Sequence, residues 1–162
     1  MSERFDIRKT VTEARLEARD MGCSRIEAEH MLLVLASHPQ SPAGRLLAGQ
    51  SLDRDAIRRA VDLEFERSLA SIGVRLGDFA LPPATPPTPE GPRAMGQSAR
   101  LAIQRALKAR IGRGRDRRLG SLHLLLGILT AQGGTAVRAL DAIHVDRAGL
   151  AAKVRAELEQ AA

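Results

Sequence analysis

The chain has 162 residues, 44% of them hydrophobic, with a formal net charge of +6 and a single cysteine, Cys23. That length suits one domain or two half-domains sharing a core, and one cysteine excludes an internal disulfide and points to a reducing, cytoplasmic setting. The apolar runs are too short to cross a bilayer, the charged start Met1–Asp6 lacks a secretory core, and 2% aromatics with neither Trp nor Tyr argue against the stacking platforms of single-strand nucleic-acid binders.

Phe5–Asp20 is predicted as a helix, because Val11, Ala14, Ala18 and Met21 recur at three- and four-residue spacings. Gly22 is suited to end it in a left-handed conformation. The start of the next helix has two readings. Ser24 with Glu27 fits a capping box, whereas a start near Ala28 matches a later stretch in which Ser121 is a natural N-cap. Met31–Ala36 is apolar on nearly all sides, which predicts a central, buried helix ending before Pro39. Ser41–Ala48 is a short third helix with Pro42 in its first turn. Asp53 caps a fourth, through Ile57, Val61, Phe65 and Leu69, which Gly73 ends.

From Val74 the texture changes, and six of the eight prolines fall at 82, 83, 86, 87, 89 and 92. This predicts an extended, partly polyproline-like linker over 74–95, with Leu76, Phe79 and Leu81 packing back on the body. Leu101, Ile103, Ala106 and Leu107 then mark a helix, followed by an Arg/Gly loop. Ser121–Ala131 is a second central helix, Thr135–Ile143 a short one, and Asp146 caps the last, through Leu150, Val154 and Leu158. No strand pattern occurs.

The two central helices carry related stretches. Glu29-His30-Met31-Leu32-Leu33-Val34-Leu35 is echoed by Leu122-His123-Leu124-Leu125-Leu126-Gly127-Ile128, 93 residues later. The same offset relates Arg25 to Arg118, Ala43 to Ala136, Arg45 to Arg138, Leu47 to Leu140, Asp53-Arg54 to Asp146-Arg147 and Val61 to Val154. A gapless offset held over that span indicates an internal repeat. The expectation is an all-α fold: two pseudo-symmetric four-helix repeats, 1–73 and 96–162, packed as one eight-helix domain. A single half would expose its central helix.

The chemistry-bearing residues are few. His30 and His123 are read as packed histidines near helix starts, their rings hydrogen-bonded to neighbouring groups. Glu27-x-x-His30 has the spacing of a carboxylate-bridged di-iron motif, but Gly120 stands in the equivalent place before His123, so the ligand count fails. Cys23 lacks the activated setting and oriented base of a nucleophile. No phosphate-cradling Gly-x-x-x-x-Gly-Lys-(Ser/Thr) occurs, and no metal, cofactor or catalytic set can be assembled, so the chain is expected not to be an enzyme. Glu29 has two readings: a bidentate guanidinium contact, or a first-turn carboxylate favoured by the helix dipole. Arg110, Arg113, Arg115, Arg117 and Arg118, with Lys108, form the densest run of one charge, either a solvated loop or a contact for an anionic partner.

The duplicated stretches resemble the N-terminal domain of the Clp-type AAA+ unfoldases, the Clp repeat domain, across nearly the whole chain outside the Pro-rich segment. The family's pattern, Ile-Gly-Thr-Glu-His-(Ile/Leu)-Leu-Leu-Gly-Leu, is matched by Ile26-Glu27-Ala28-Glu29-His30-Met31-Leu32-Leu33-Val34-Leu35 and by Leu119-Gly120-Ser121-Leu122-His123-Leu124-Leu125-Leu126-Gly127-Ile128. Glu3-Arg4-Phe5 also resembles the family's opening. The resemblance implies a bacterial, cytoplasmic protein-binding module that receives substrates, adaptors or peptides of an unfoldase, acting as an adaptor-like or decoy domain without the ATPase modules. In some members the acidic residue before the histidine binds phosphorylated arginine, which carries over to Glu29 but not to Leu122. An aromatic after the initiator Met, used by several members for cyclic peptides, is replaced by Ser2. The alternative reading is a basic nucleic-acid-associated regulator using the Arg-rich loop 108–118, whose binding would depend steeply on salt.

Overall fold

A computed structural model describes residues 5–79, 88–111 and 118–161. Those residues form eight α-helices: α1 Ile7–Asp20, α2 Ala28–Ser37, α3 Pro42–Ala48, α4 Arg54–Ser71, α5 Gln97–Ile111, α6 Ser121–Leu129, α7 Thr135–Ala142 and α8 Arg147–Gln160. A 3-10 turn, Leu76–Asp78, follows α4, and no strand occurs among the described residues. The all-α expectation is met. No helix among them is long and apolar enough to cross a membrane.

Local chemistry sets the helix ends. The side chains of Asp6, Ser41, Asp53 and Asp146 each accept a backbone N–H of the first turn they precede, relieving donors that a helix start leaves unpaired. The capping by Asp6 moves the start of α1 two residues past the expected Phe5. Gly22 turns the chain after α1 at φ 69° and Gly73 after α4 at φ 79°, a region that costs glycine little. Ser121 is the first residue of α6 rather than its N-cap, a role taken by Gly120.

The core is organised on α2 and α6. Every residue from Ala28 to Ala36 is buried, and in α6 only His123 is not. Both helices touch each other, α1 and α5 pack on α2 and α6 respectively, and α3, α4, α7 and α8 complete the shell. Small residues set the closest approach: a Cβ on Gly127 would stand 2.2 Å from the Ala102 carbonyl oxygen of α5. Bulk at that point would force the two helices apart.

The Pro-rich segment differs from its expectation at both described ends. Leu76 is 38% exposed and Phe79 56%, so neither packs back on the body; Leu81 lies outside the described residues. Residues 88–96 instead run along α1 and the start of α2. Arg19 donates to the Pro89 carbonyl (2.8 Å) and Arg15 to that of Gly91 (3.2 Å). Ile26 pairs with Met95 in a parallel bridge, through Ile26 N–H to Ala94 O (2.9 Å) and Gly96 N–H to Ile26 O (2.7 Å). This brings the start of α5 beside the start of α2.

Candidate functional site

Each central helix begins with the same device. The Nδ1 atom of His30 accepts the Glu27 backbone N–H (2.8 Å), and that of His123 accepts the Gly120 N–H (3.0 Å). A histidine at the third helical position thus does what Glu or Gln does in a capping box. Of the two expected starts for α2, the one at Ala28 is found. Nδ1 accepts, so the His30 proton resides on Nε2, which is buried and has no hydrogen-bond partner among the protein atoms. Burial lowers the His30 pKa to about 4, against the opposing charge of Glu27. Its imidazole is therefore neutral near pH 7. His123 is only half-buried; burial, then the charge of Arg110, lowers its pKa too.

Glu27 has a different role from either one weighed in the sequence. Its carboxylate accepts the Ser98 backbone N–H (3.2 Å) and the Ser98 hydroxyl, while Ser98 Oγ accepts the Ala28 N–H (2.9 Å). It caps the first turn of α5, not its own helix. Gly96 makes room for it, since a Cβ there would land 1.7 Å from Glu27 Oε1.

Glu29 is the outlier of the core. It is 8% exposed, and its Oε2 has no hydrogen-bond partner among the protein atoms. Burial raises its pKa to about 7; its own backbone N–H and Arg138 act downward, Glu27 and Glu64 upward. Glu29 does lie in the first turn of α2, but desolvation dominates its ionisation because the side chain is enclosed by the packed shell. Nearby, Glu64 of α4 is 6% exposed and accepts from Ser68 Oγ (2.6 Å) and from Arg138 Nε of α7 (2.7 Å). Burial raises the Glu64 pKa, but these two bonds outweigh it and leave it lowered. The result is a neutral-leaning carboxyl beside a charged, paired one.

Two cavities flank the core, neither foreseen from the sequence. One, about 410 Å³, lies between α1, the end of α2 and the start of α3, with Phe5, Lys9, Leu35 and Pro42 in its wall and a Glu13–His38 hydrogen bond at its edge. The other, about 300 Å³, lies between α5, the end of α6 and the start of α7, with Ser98, Arg105, Ile128, Gly134 and Val137 in its wall. Leu35 and Ile128, His38 and Ala131, are 93 residues apart, so the cavities occupy corresponding places. Both walls mix apolar and polar side chains, with Lys9 and Glu13 in the first and Ser98 and Arg105 in the second.

Of the Arg-rich run, Arg110 lies half-buried in the last turn of α5 and Arg118 is exposed just ahead of α6, while Arg113, Arg115 and Arg117 lie outside the described residues. Cys23 is half-buried, and burial, then the charges of Glu29 and Glu27, raise its pKa against Arg58, which keeps it a thiol. No group of three metal-ligating side chains occurs among the described residues. No family model matches the chain, and no curated protein matches it.

Proposed function

We propose that the chain is a non-enzymatic protein- or peptide-binding module related to the Clp repeat domain, working in the cytoplasm on substrates, adaptors or peptide ligands of a Clp unfoldase. The observation that carries this reading is the histidine-capped central helix, used twice at one offset with the same bond to the residue three before it. On this reading the chain is two four-helix repeats joined by the Pro-rich segment. The paired cavities support the reading, because concave sites lined by apolar groups with a few polar ones suit peptide side chains.

Within it, Glu29 is the guanidinium contact. Its unpartnered Oε2 is the acceptor such a ligand satisfies, and the cavity that begins at Ala28 is the adjoining room. Reaching it requires the Glu29 side chain to turn out of the junction with Glu64 and Arg138. Leu122 offers no such contact, so one arginine is bound per chain.

The test is an NMR titration of the 15N-labelled chain with a phosphoarginine-containing peptide and with its unphosphorylated counterpart. Shifts centred on residues 27–30, 98 and 133–137, lost in Glu29→Gln, are expected. An unperturbed spectrum with both peptides, together with no capture of Clp unfoldase or its substrates from nuclease-treated lysate, contradicts the proposal. Nucleic acid retained by the chain in untreated lysate moves the function to the Arg-rich loop.

A further inference from the structure

Seven arginines are half-buried among the described residues. Five of them, Arg15, Arg19, Arg54, Arg58 and Arg147, have a carboxylate oxygen no farther than 3.5 Å away. Arg105 and Arg110, both on α5, have none among the described residues. Arg110 adjoins residues outside the described ones, whereas Arg105 sits within the helix. Its guanidinium makes one hydrogen bond there, from Nη1 to the Gly127 carbonyl (3.2 Å). A cation drawn partly out of water without a counter-charge is costly.

Arg105 opens on the cavity of about 300 Å³, in whose wall it is the only charged side chain. Across from it, Gly133, Gly134, Ala136 and Val137 bring the start of α7 into the same wall. Gly134 offers α7 no side-chain cap, so the first-turn N–H groups, which a helix leaves without internal partners, stand there uncapped. The Glu27 carboxylate behind Ser98 is spent on the two donors of that serine. Nor does packing demand the guanidinium. Glu13 stands before fully buried Ala14 in α1 as Arg105 stands before fully buried Ala106 in α5, and each lines its own cavity. The matching position of the first cavity thus carries the opposite charge.

We infer that the second cavity binds a compact oxyanion of the phosphoryl type, held between the Arg105 guanidinium and the start of α7. The guanidinium fork suits two oxygens of one group, and helix-start N–H groups suit the others. Leu101, Ile128 and Val137 leave an apolar wall for a stem, so a phosphorylated peptide side chain and free phosphate share the required chemistry. The inference rests on the peptide-binding reading only for the source of the group; the anion site itself stands apart from Glu29.

An NMR titration of the 15N-labelled full chain with inorganic phosphate at constant ionic strength, against sodium chloride, tests it. Saturable shifts are expected at the amides of 133–137 and at the Arg105 Nε–H. Arg105→Gln weakens binding about tenfold or more, while Arg100→Gln, an exposed arginine outside the wall, leaves it unchanged. A Cβ on Gly133 meets nothing within 4 Å, so Gly133→Asp adds a carboxylate without disturbing Arg105 and is expected to abolish binding. Glu29→Gln leaves phosphate binding intact, which separates this site from the guanidinium contact. A phosphoarginine peptide bound about tenfold or more tightly than inorganic phosphate makes a peptide the source, and equal affinity makes it free phosphate. No saturable shift, a shift that chloride reproduces, or binding that survives both Arg105→Gln and Gly133→Asp overturns the proposal. A successful peptide titration beside any of these leaves the protein-binding reading standing.

Discussion

The starts of α2 and α6 are two versions of one device. In both, a histidine ring accepts the N–H three residues before it, and an apolar helix runs on into the core. The next residues differ. Before His30 stands a buried carboxyl, Glu29; before His123 stands Leu122, 7% exposed. Glu64 and Arg138 pair across α4 and α7 at 2.7 Å, whereas Arg45, the counterpart of Arg138, donates to the Gln40 carbonyl. The two helix starts share the histidine cap, while a buried carboxyl stands before the histidine in one and a buried leucine in the other.

The largest effect is expected where the copies agree. Leu32→Ala in α2 and Leu125→Ala in α6, both fully buried, each cost about 2–5 kcal/mol by urea unfolding. A loss confined to one of them would show that the two helices do not share a core.

Glu29→Leu, which writes the second copy's residue into the first, is expected to stabilise the protein. The folded carboxyl has its pKa raised from 4.5 to about 7, so its contribution is fully present below pH 4.5 and is lost as pH rises through 7. The advantage of the variant is small in acid and reaches ~3 kcal/mol above neutrality. An advantage independent of pH would mean that Glu29 has an ordinary pKa. His30 has the opposite sign. Its folded pKa of about 4 lies below the unfolded 6.5, so stability is gained as pH rises through that window. The two slopes overlap between pH 4.5 and 6.5 and largely cancel in the wild type. Glu29→Leu uncovers the histidine slope, which unfolding midpoints across that window will show.

Arg138→Ala leaves Glu64 buried with only Ser68 for a partner, at a cost of about 1–3 kcal/mol. Because the native Glu64 pKa is lowered, the pair stabilises above the unfolded carboxyl pKa and its contribution is lost as pH falls. The difference between wild type and variant therefore narrows in acid. Arg45→Ala, the matching change in the other half, is expected to be nearly neutral. The smallest effect separates the two caps: His123→Ala loses about 1 kcal/mol with its cap. His30→Ala loses more, since the ring it removes is fully enclosed.

The helices were legible because their signals are local. Asp53 and Asp146 cap where short polar side chains before periodic apolar residues indicate, and the run Met31–Ala36 is buried as its lack of a polar face requires. The site was only half legible. Position marked Glu29 and the histidines, but their burial depends on α4 and α7, which arrive from elsewhere in the chain. The Glu27–Ser98 contact spans 71 residues and leaves no periodic trace. Gly96, whose missing side chain admits the Glu27 carboxylate, is one glycine among 14 in the sequence and carries no local sign of that contact. The exposure of Phe65 was likewise hidden, because an apolar residue at helical spacing reads as core until the helix is seen to outrun it.

The most direct test of the difference between the copies is the titration of the Glu29 side-chain carboxyl, followed through its 13C shift in the folded chain. A midpoint near 7 is the expected result, placing an enclosed, proton-exchanging carboxyl in the first copy where the second has leucine. A midpoint at the ordinary carboxylate value would mean that Glu29 is solvated, and that the two copies differ in sequence without differing in chemistry.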